Sequence, residues 1–596
     1  MSNKNVPIKY TARDFDSIKA ELVEYAKKYY PNNYKDFSEG SFGSLMLDLT
    51  SYIGDTLSFY LDYQANETFL LNAIEKRNVL SNARTLGYKY KSSYSSTGFC
   101  QIYIKVPADT ISDGPNLDYI PILRAGANLY SSGGISFILC DDVNFSDDNT
   151  MVVVGEINSS GVVQNYILKK DAKVISGSME VIEAEITAFK KFLKVNIDDV
   201  NMVEIISVED SDGNQYYEVD NLSQNIVYEF IPNLDMVTST VSPYKLREIV
   251  ALRRFTVERN GDNGFYLQFG YGSESTLIDG NIADPSSVII NEFGKDYVSD
   301  TKFDPTKLIN GDNFGIAPAN TILKIKYRSN NTNDVNVRAN SLTSMSGAQF
   351  IFSNSVSQVI QREIQQTIEV DNEEPITGDV TDPDVDEIKI RALDNFSTQD
   401  RAVTRRDYIS CCYNMPSKLG SIKRVNLVQD PNSFKRNLNL YVISEDQDGY
   451  LTSTNVIIKQ NLLTWLQKYK MINDTIDILD AKIVNVNIEF EVLCSNLKNK
   501  TEVLQKCLSQ LKVVFKNKLN IGEVFSVSDV YGILNKVDGV TDTTKVVIKV
   551  NNGTGYSQIS FNIDEYTTAD NKNIIIPEDY ILEIKNLNTD IKGTVI

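Results

Sequence analysis

The chain has 596 residues, of which 42% are hydrophobic and 23% charged, an ordinary globular mix that excludes disorder along its whole length. It contains no histidine, which removes every Ser-His, Cys-His and His-metal arrangement and leaves only chemistry built on carboxylates, Lys, Tyr or Cys. Its 79 acidic and 59 basic residues give a formal charge of −20, a poor basis for binding nucleic acid, and the basic residues cluster only in short pairs such as Arg253-Arg254 and Arg405-Arg406.

The first 90 residues or so read as helical. Thr11-Ala-Arg-Asp14 has the form of a capping box, with Tyr10 and Phe15 at the positions of a hydrophobic staple. Phe15, Ile18, Leu22, Tyr25 and Tyr29 follow at helical spacing, and Pro31 ends the run. A second helix is expected from about Ser41 to Asn66. Its Phe42, Met46, Leu49, Ile53 and Tyr60 recur in alternating steps of about three and four, with Thr56 in the missing place. Such a seam serves either a local bundle core or an intermolecular contact. A third helix, from about Ala73 to Leu86, should stop at Gly87.

From Phe99 to about Phe352 short alternating runs dominate, among them Gln101–Val106, Met151–Val154 and Gly264–Phe269, punctuated by Asn-Gly turns. The segment Glu369–Glu387 holds nine carboxylates and no Lys or Arg, and is expected to be a solvated loop leading into a helix; a cation site is the alternative. Helices are expected at Thr404–Met415, with Thr404 and Asp407 as capping box, at about Thr454–Lys470, at about Thr501–Leu519, and from Ser526 with Asp529 completing its box. Strands are expected at Ser421–Val428, Asn437–Ile443, Lys482–Leu493 and Lys545–Val550. The order implies an α+β multidomain protein: a helical segment over 1–92, a β-rich region over 93–352 of two or more subdomains, an α+β domain over 353–480 containing the acidic loop 369–387, and a C-terminal α+β domain over 481–596.

The chemical inventory is sparse. The six cysteines form no C-x-x-C pair and read as reduced, small apolar residues. No phosphate loop of the GxxxxGK[ST] form occurs, and no serine sits in a G-x-S-x-G elbow. Glu445–Gly449 imitates a calcium loop but lacks the terminal bidentate acid, since Asn455 stands there. No catalytic residue, cofactor or metal site is expected. The N-terminus has no signal-peptide pattern and the most apolar stretch, Leu45–Leu61, carries Asp48 and Asp55, so neither export nor membrane insertion is expected.

Several segments, in order along the chain, resemble the baseplate-J-like wedge proteins of contractile-tailed, T-even-like phages. They are Tyr10–Ile18, Pro31–Gly43, Ile53–Glu67 and Asn82–Tyr88 at the N-terminus, then Phe269-Gly-Tyr-Gly272, Phe396–Tyr408, Ile521-Gly522 and Val537–Val540. The sequence departs from the family's Gly-rich turn at Ile376-Thr-Gly-Asp379, which has one Gly and an acidic neighbour. The resemblance implies a non-enzymatic virion protein of the tail baseplate, assembled in the host cytoplasm. Its N-terminal helices would join a second copy of itself and another wedge subunit in a bundle. Its C-terminal domains would meet neighbouring wedges, the tail hub and sheath-proximal proteins, closing a ring and relaying contraction to the sheath. In that context the seam Phe42, Met46, Leu49, Ile53, Tyr60 and the first-helix residues Phe15, Ile18, Leu22, Tyr25 become interface residues. The alternative is a carbohydrate-binding or carbohydrate-cleaving tail protein using carboxylates and exposed tyrosines.

Overall fold

A computed structural model describes residues 14–30, 38, 40–91, 94–109, 114–147, 149–159, 162–232, 244–259, 264–273, 314–332, 334–352, 357–430, 437–494, 499–516 and 519–596. N-terminal helices precede a β-rich remainder with further helices, so the chain is α+β. It divides into two compact units, residues 1–90 with 383–399, and residues 91–382 with 400–596.

The first unit is built on helices α1 (Phe15–Tyr29), α2 (Phe42–Glu67) and α3 (Lys76–Thr85). Asp14 caps α1, its carboxylate accepting from the Ser17 amide at 3.2 Å. The expected cap Thr11 and the staple residue Tyr10 lie outside the described residues. Ser41 caps α2 by accepting from the Ser44 amide at 3.1 Å. Helix α3 ends as its sequence dictates: Gly87 adopts φ 83°, the Tyr88 amide reaches back to the Ala83 carbonyl and the Gly87 amide to that of Arg84. This pair of bonds is the Schellman stop, and Ala83 and Tyr88 are buried in one cluster beside it. That cluster is completed by Ile388 and Ala392 from the helix Val385–Thr398, far away in sequence.

The second unit holds two seven-stranded sheets. In the first, strands Leu342–Ser346, Asn128–Ser131, Ser136–Leu139, Asn165–Ser176, Thr97–Pro107 and Glu369–Asp371 lie side by side, and Met151–Val154 also pairs with Asn165–Ser176. Inward positions such as Ile102, Ile104, Leu129, Phe137 and Leu168 fill its core. The second sheet runs from Ser178–Ile186 through Thr321–Ser329, Met202–Glu209, Gln215–Glu218, Arg254–Arg259 and Phe265–Phe269 to Lys194–Ile197. The Phe269-Gly-Tyr-Gly272 turn is tight for a physical reason. A methyl on Gly270 would lie 2.1 Å from the Gly315 carbonyl oxygen, so only glycine fits.

Two α+β modules follow. In one, strands Asn437–Glu445 and Thr475–Asp480 run parallel, linked by helix Val456–Gln467. Helix Arg405–Tyr413 packs with it over a core of Tyr408, Leu440, Leu462 and Leu466, and starts on the expected Thr404/Asp407 capping box with both reciprocal bonds formed. In the other, the long strand Lys482–Cys494 is paired by Val540–Val550, Tyr580–Glu583 and Ile591–Val595, with helices Lys500–Val514 and Val527–Asn535 over the core. Buried polar groups tie the sheets of this unit together. The guanidinium of Arg328, 2% exposed, donates to Glu204 at 2.9 Å, to the Ser95 hydroxyl at 2.8 Å and to the Ser176 carbonyl. A buried charge is tolerated only with such complete partnering.

The acidic segment 369–387 differs from a solvated loop. Glu369–Asp371 is a strand on Thr97–Pro107, because Ile368 and Val370 alternate with the acids and Val370 enters the core. Asp379 is buried as well, and the expected helix begins at Val385.

Candidate functional site: an exposed apolar face on the N-terminal helices

Among the described residues no group of three His, Cys, Asp or Glu side chains could hold a metal ion, and no helix is long and apolar enough to cross a membrane. All six cysteines are free thiols; burial pushes Cys100 and Cys411 up to about 12 and Cys140 to about 11, away from reactive thiolates.

What the structure does present is the surface of α2. The side of the helix that meets α1 carries small residues. Ser44 and Ser51 are buried, and a methyl on Gly54 would lie 3.2 Å from Ile18 Cδ1. Lys19 Nζ stands 2.6 Å from Asp48 Oδ1 across the same contact. The hydroxyls of Ser51, Thr50 and Thr56 turn back onto carbonyls one turn earlier, at 2.7, 2.8 and 2.8 Å, so they make no demand on a neighbour.

At 3.6 residues per turn, Phe42, Met46, Leu49, Ile53 and Tyr60 fall on the side of α2 opposite this small-residue stripe. They are therefore not brought together with α1. Phe42 is 77% exposed, Leu49 53% and Ile53 50%, and Met46 and Tyr60 are exposed as well. Leu45, Tyr52 and Phe59, spaced by seven, form a second exposed row on one flank of the seam, and Leu57 and Leu61 are exposed on its other flank. Together these side chains present roughly 1,000 Å² of apolar surface, about twice the largest patch of an ordinary monomer. On α1, Phe15, Ile18 and Leu22 are half-buried and Tyr25 is exposed, its ring 4.7 Å from that of Tyr29. The sequence pattern marked five positions of the face; the Leu45/Tyr52/Phe59 row could have been found from its seven-residue spacing.

A residue that the pattern did not mark fixes how α2 ends. Glu67 is buried at the corner between α2 and α3. Its carboxylate accepts from the Ile74 amide at 2.9 Å and from the Asn78 side chain at 2.8 Å, while Asn82 Nδ2 donates to its backbone carbonyl at 3.2 Å. The Ile74 and Asn78 hydrogen bonds, aided by the charge of Lys389, hold this carboxyl below its usual range. Asn78 and Asn82, one turn apart on α3, were the available signal.

This helical face lies in a segment with known relatives. Residues 14–85 match the family described as bacteriophage baseplate protein, N-terminal domain. The match supports a structural role in a phage baseplate, in the tail of the virion. No curated protein matches the chain. Among solved structures, the chain is similar to one in the anti-feeding prophage baseplate, seen by cryo-electron microscopy with six-fold symmetry, at 9% identity and a TM-score of 0.25 over 96% of this chain and 99% of that one. It is also similar to a chain of the type VI secretion system TssK-TssF-TssG baseplate subcomplex, at 8% identity and a TM-score of 0.22 over 74% of this chain and 95% of that one. At these TM-scores neither likeness bears on function.

Proposed function

We propose that this protein is a non-enzymatic component of the baseplate wedge of a contractile phage tail. It assembles through α2 with a second copy of itself and with other wedge subunits, joins neighbouring wedges into a ring around the hub, and relays the contraction signal to the sheath. The observation that carries this reading is the exposed apolar face of α2, inside the segment that matches the baseplate family. A helix whose small residues face its own neighbour and whose large apolar residues face water is made for partners outside the chain. The buried Arg328 junction supports the relay, because a unit held by satisfied buried polar groups moves as one body.

The test is co-expression with the neighbouring tail subunits, followed by mass measurement of the complex. A complex is expected with the native chain. Leu49→Asp or Ile53→Asp places a carboxylate in the buried seam, at a cost of several kcal/mol, and should abolish assembly while the second unit keeps its melting transition. Normal assembly by either variant would refute the seam, and a native chain that captures no partner would refute the wedge reading.

A further inference from the structure

A cavity of about 510 Å³ opens in the second unit, where the strand Arg424–Gln429 ends and its antiparallel neighbour Asn437–Glu445 begins. Its walls are largely apolar: Leu427, Val428 and Leu438 from these strands, and Met471 from the turn ahead of the strand Thr475–Asp480. Val403 and the ion pair of Arg405 with Glu578, 2.9 Å apart, complete the lining. Val403 is 52% exposed and both ion-pair side chains are half exposed, which puts them at the mouth.

The charged group inside is Asp474. It is 8% exposed and sits on a tight turn, its amide donating to the Met471 carbonyl at 3.2 Å. Its Oδ2 accepts from the Tyr408 hydroxyl at 2.7 Å, and that hydroxyl is held in turn by the Met471 amide at 3.4 Å. The carboxylate is therefore fixed in place, yet among the described residues nothing donates to Oδ1. Neither nearby cation serves it. Lys470 donates to the Asp474 backbone carbonyl at 3.0 Å, and Arg405 is engaged by Glu578 and, at 2.6 Å, by Asn426 Oδ1.

A buried carboxylate is costly until a charge and a hydrogen bond come to it. The group that comes must be a cation, carried on an apolar stem that can lie against Leu427, Leu438 and Met471. Tyr408 already holds one oxygen, which blocks the two-pronged pairing of a guanidinium and leaves a single oxygen for a point-like ammonium. Lysine joins that head to four methylenes. A free amine would fill the seat but leave the mouth bare, where Met471 is 42% exposed and Ile472, on the same turn, 99% exposed. Apolar surface around a charged seat, with an ion pair at the rim, is the composition of a protein contact. The chain's net charge of −20 favours approach by a basic partner.

We propose that this cavity seats a lysine side chain of another protein of the tail, its ammonium on Asp474 Oδ1 and its methylenes along the apolar walls.

The probe is N-acetyl-lysine methylamide, offered to the full native chain and followed by saturation-transfer NMR. Binding at about 1 mM is expected for a compound of this size, and at least about tenfold weaker binding for the norleucine counterpart, which has a similar stem and no charge. Asp474→Asn keeps an acceptor for Tyr408, removes the charge, and should weaken the lysine compound about tenfold or more. Should that variant fail to fold, Val403→Trp narrows the exposed mouth without touching the buried pair and is expected to weaken binding as well. No binding by the native chain up to about 10 mM overturns the proposal, as do equal binding of the two compounds and binding that ignores both substitutions. The residues joining the two strands carry Lys435 and Arg436 and lie outside the described residues. Binding that appears only after Lys435→Gln and Arg436→Gln would give the seat to this chain itself and overturn the partner. In complex with the neighbouring tail subunits, the chain should no longer take up the compound. Continued uptake there, or loss of uptake when the chain alone is concentrated, also overturns the partner. Only the choice of a tail protein rests on the wedge reading. Selectivity for the charged compound does not, and α2 is judged separately on Leu49 and Ile53, so the two readings fail by different results.

Discussion

Replacing Asp379 with asparagine should stabilise the second unit at neutral and alkaline pH and leave it unchanged in acid. Asp379 is 8% exposed, and its carboxylate accepts from the Val335 amide at 3.3 Å and from the Val380 amide. Burial pushes its carboxyl up to about 8, and the nearby carboxylates of Asp334 and Asp382 act in the same direction. Below about pH 4 the group is protonated in the folded and the unfolded chain alike, and it costs nothing. Between about pH 4 and 8 the unfolded chain ionises while the folded one stays neutral, so stability falls by about 1.4 kcal/mol for each pH unit. Above 8 both forms are charged and the loss levels off, at a ceiling of about 6 kcal/mol that local relaxation reduces to a few. The amide introduced by Asp379→Asn would keep the acceptor for Val335 and remove the titration. The backbone contacts are unaffected, since Asp379 N donates to Asn336 Oδ1 at 3.1 Å and Asn336 Nδ2 donates to the Asp379 carbonyl at 2.9 Å. Urea denaturation of native and variant chains at pH 5 and pH 8 measures the difference between them, in which the other carboxylates cancel. The variant's advantage should grow by roughly 2–4 kcal/mol from pH 5 to pH 8. An advantage that does not change with pH, or a variant less stable at pH 8, would show that Asp379 is accommodated as a charged group and refute the reasoning.

Two glycines give further tests. Gly593 lies opposite Phe490, and a methyl there would come 2.2 Å from the ring; since Phe490 is buried and cannot yield, Gly593→Ala should cost about 1–3 kcal/mol in thermal unfolding. Phe490→Leu in the same chain should recover part of that loss, and a purely additive double variant would count against the clash. Gly54→Leu on α2, driven against Ile18 of α1, should loosen α1 and speed its proteolytic cleavage without changing the second unit; an unchanged cleavage rate would mean that α1 is not seated on the small-residue stripe.

Local signals were the most legible. The Thr404/Asp407 box and the Ser526 cap formed as their four-residue spacing dictates, with the Asp529 amide 3.2 Å from the Ser526 hydroxyl, because capping depends on neighbours in sequence. The start of α1 was harder, since Thr11 and Asp14 are both good caps and only the Ser17 bond distinguishes them. The long strand Lys482–Cys494 was legible from its alternation. The burial of Asp379 was not, because composition marks 369–387 as solvated and nothing local shows that Asn336 and Val335, over forty residues earlier, close over it. The α2 seam was visible as a period, but a period cannot say which face its own chain covers. That depended on Ile18 seating at Gly54, a contact between two helices.

The placement of α1 decides more than the stability of the N-terminal unit. Had α1 packed on Leu49 and Ile53, α2 would be an ordinary core helix with a weak polar exterior. It meets α2 instead at Gly54 and Asp48, on the side that carries the buried Ser44 and Ser51. The most apolar surface of the helix is thereby left uncovered by α1, which occupies the opposite side. In the proposed bundle, partner helices would meet α2 along the Phe42–Tyr60 seam and the neighbouring Leu45/Tyr52/Phe59 row. Two rows side by side offer seats for two helices, which a single heptad seam would not. Glu67 then sets where those seats end, because its hydrogen bonds to Ile74 and Asn78 turn the chain away before α3 begins.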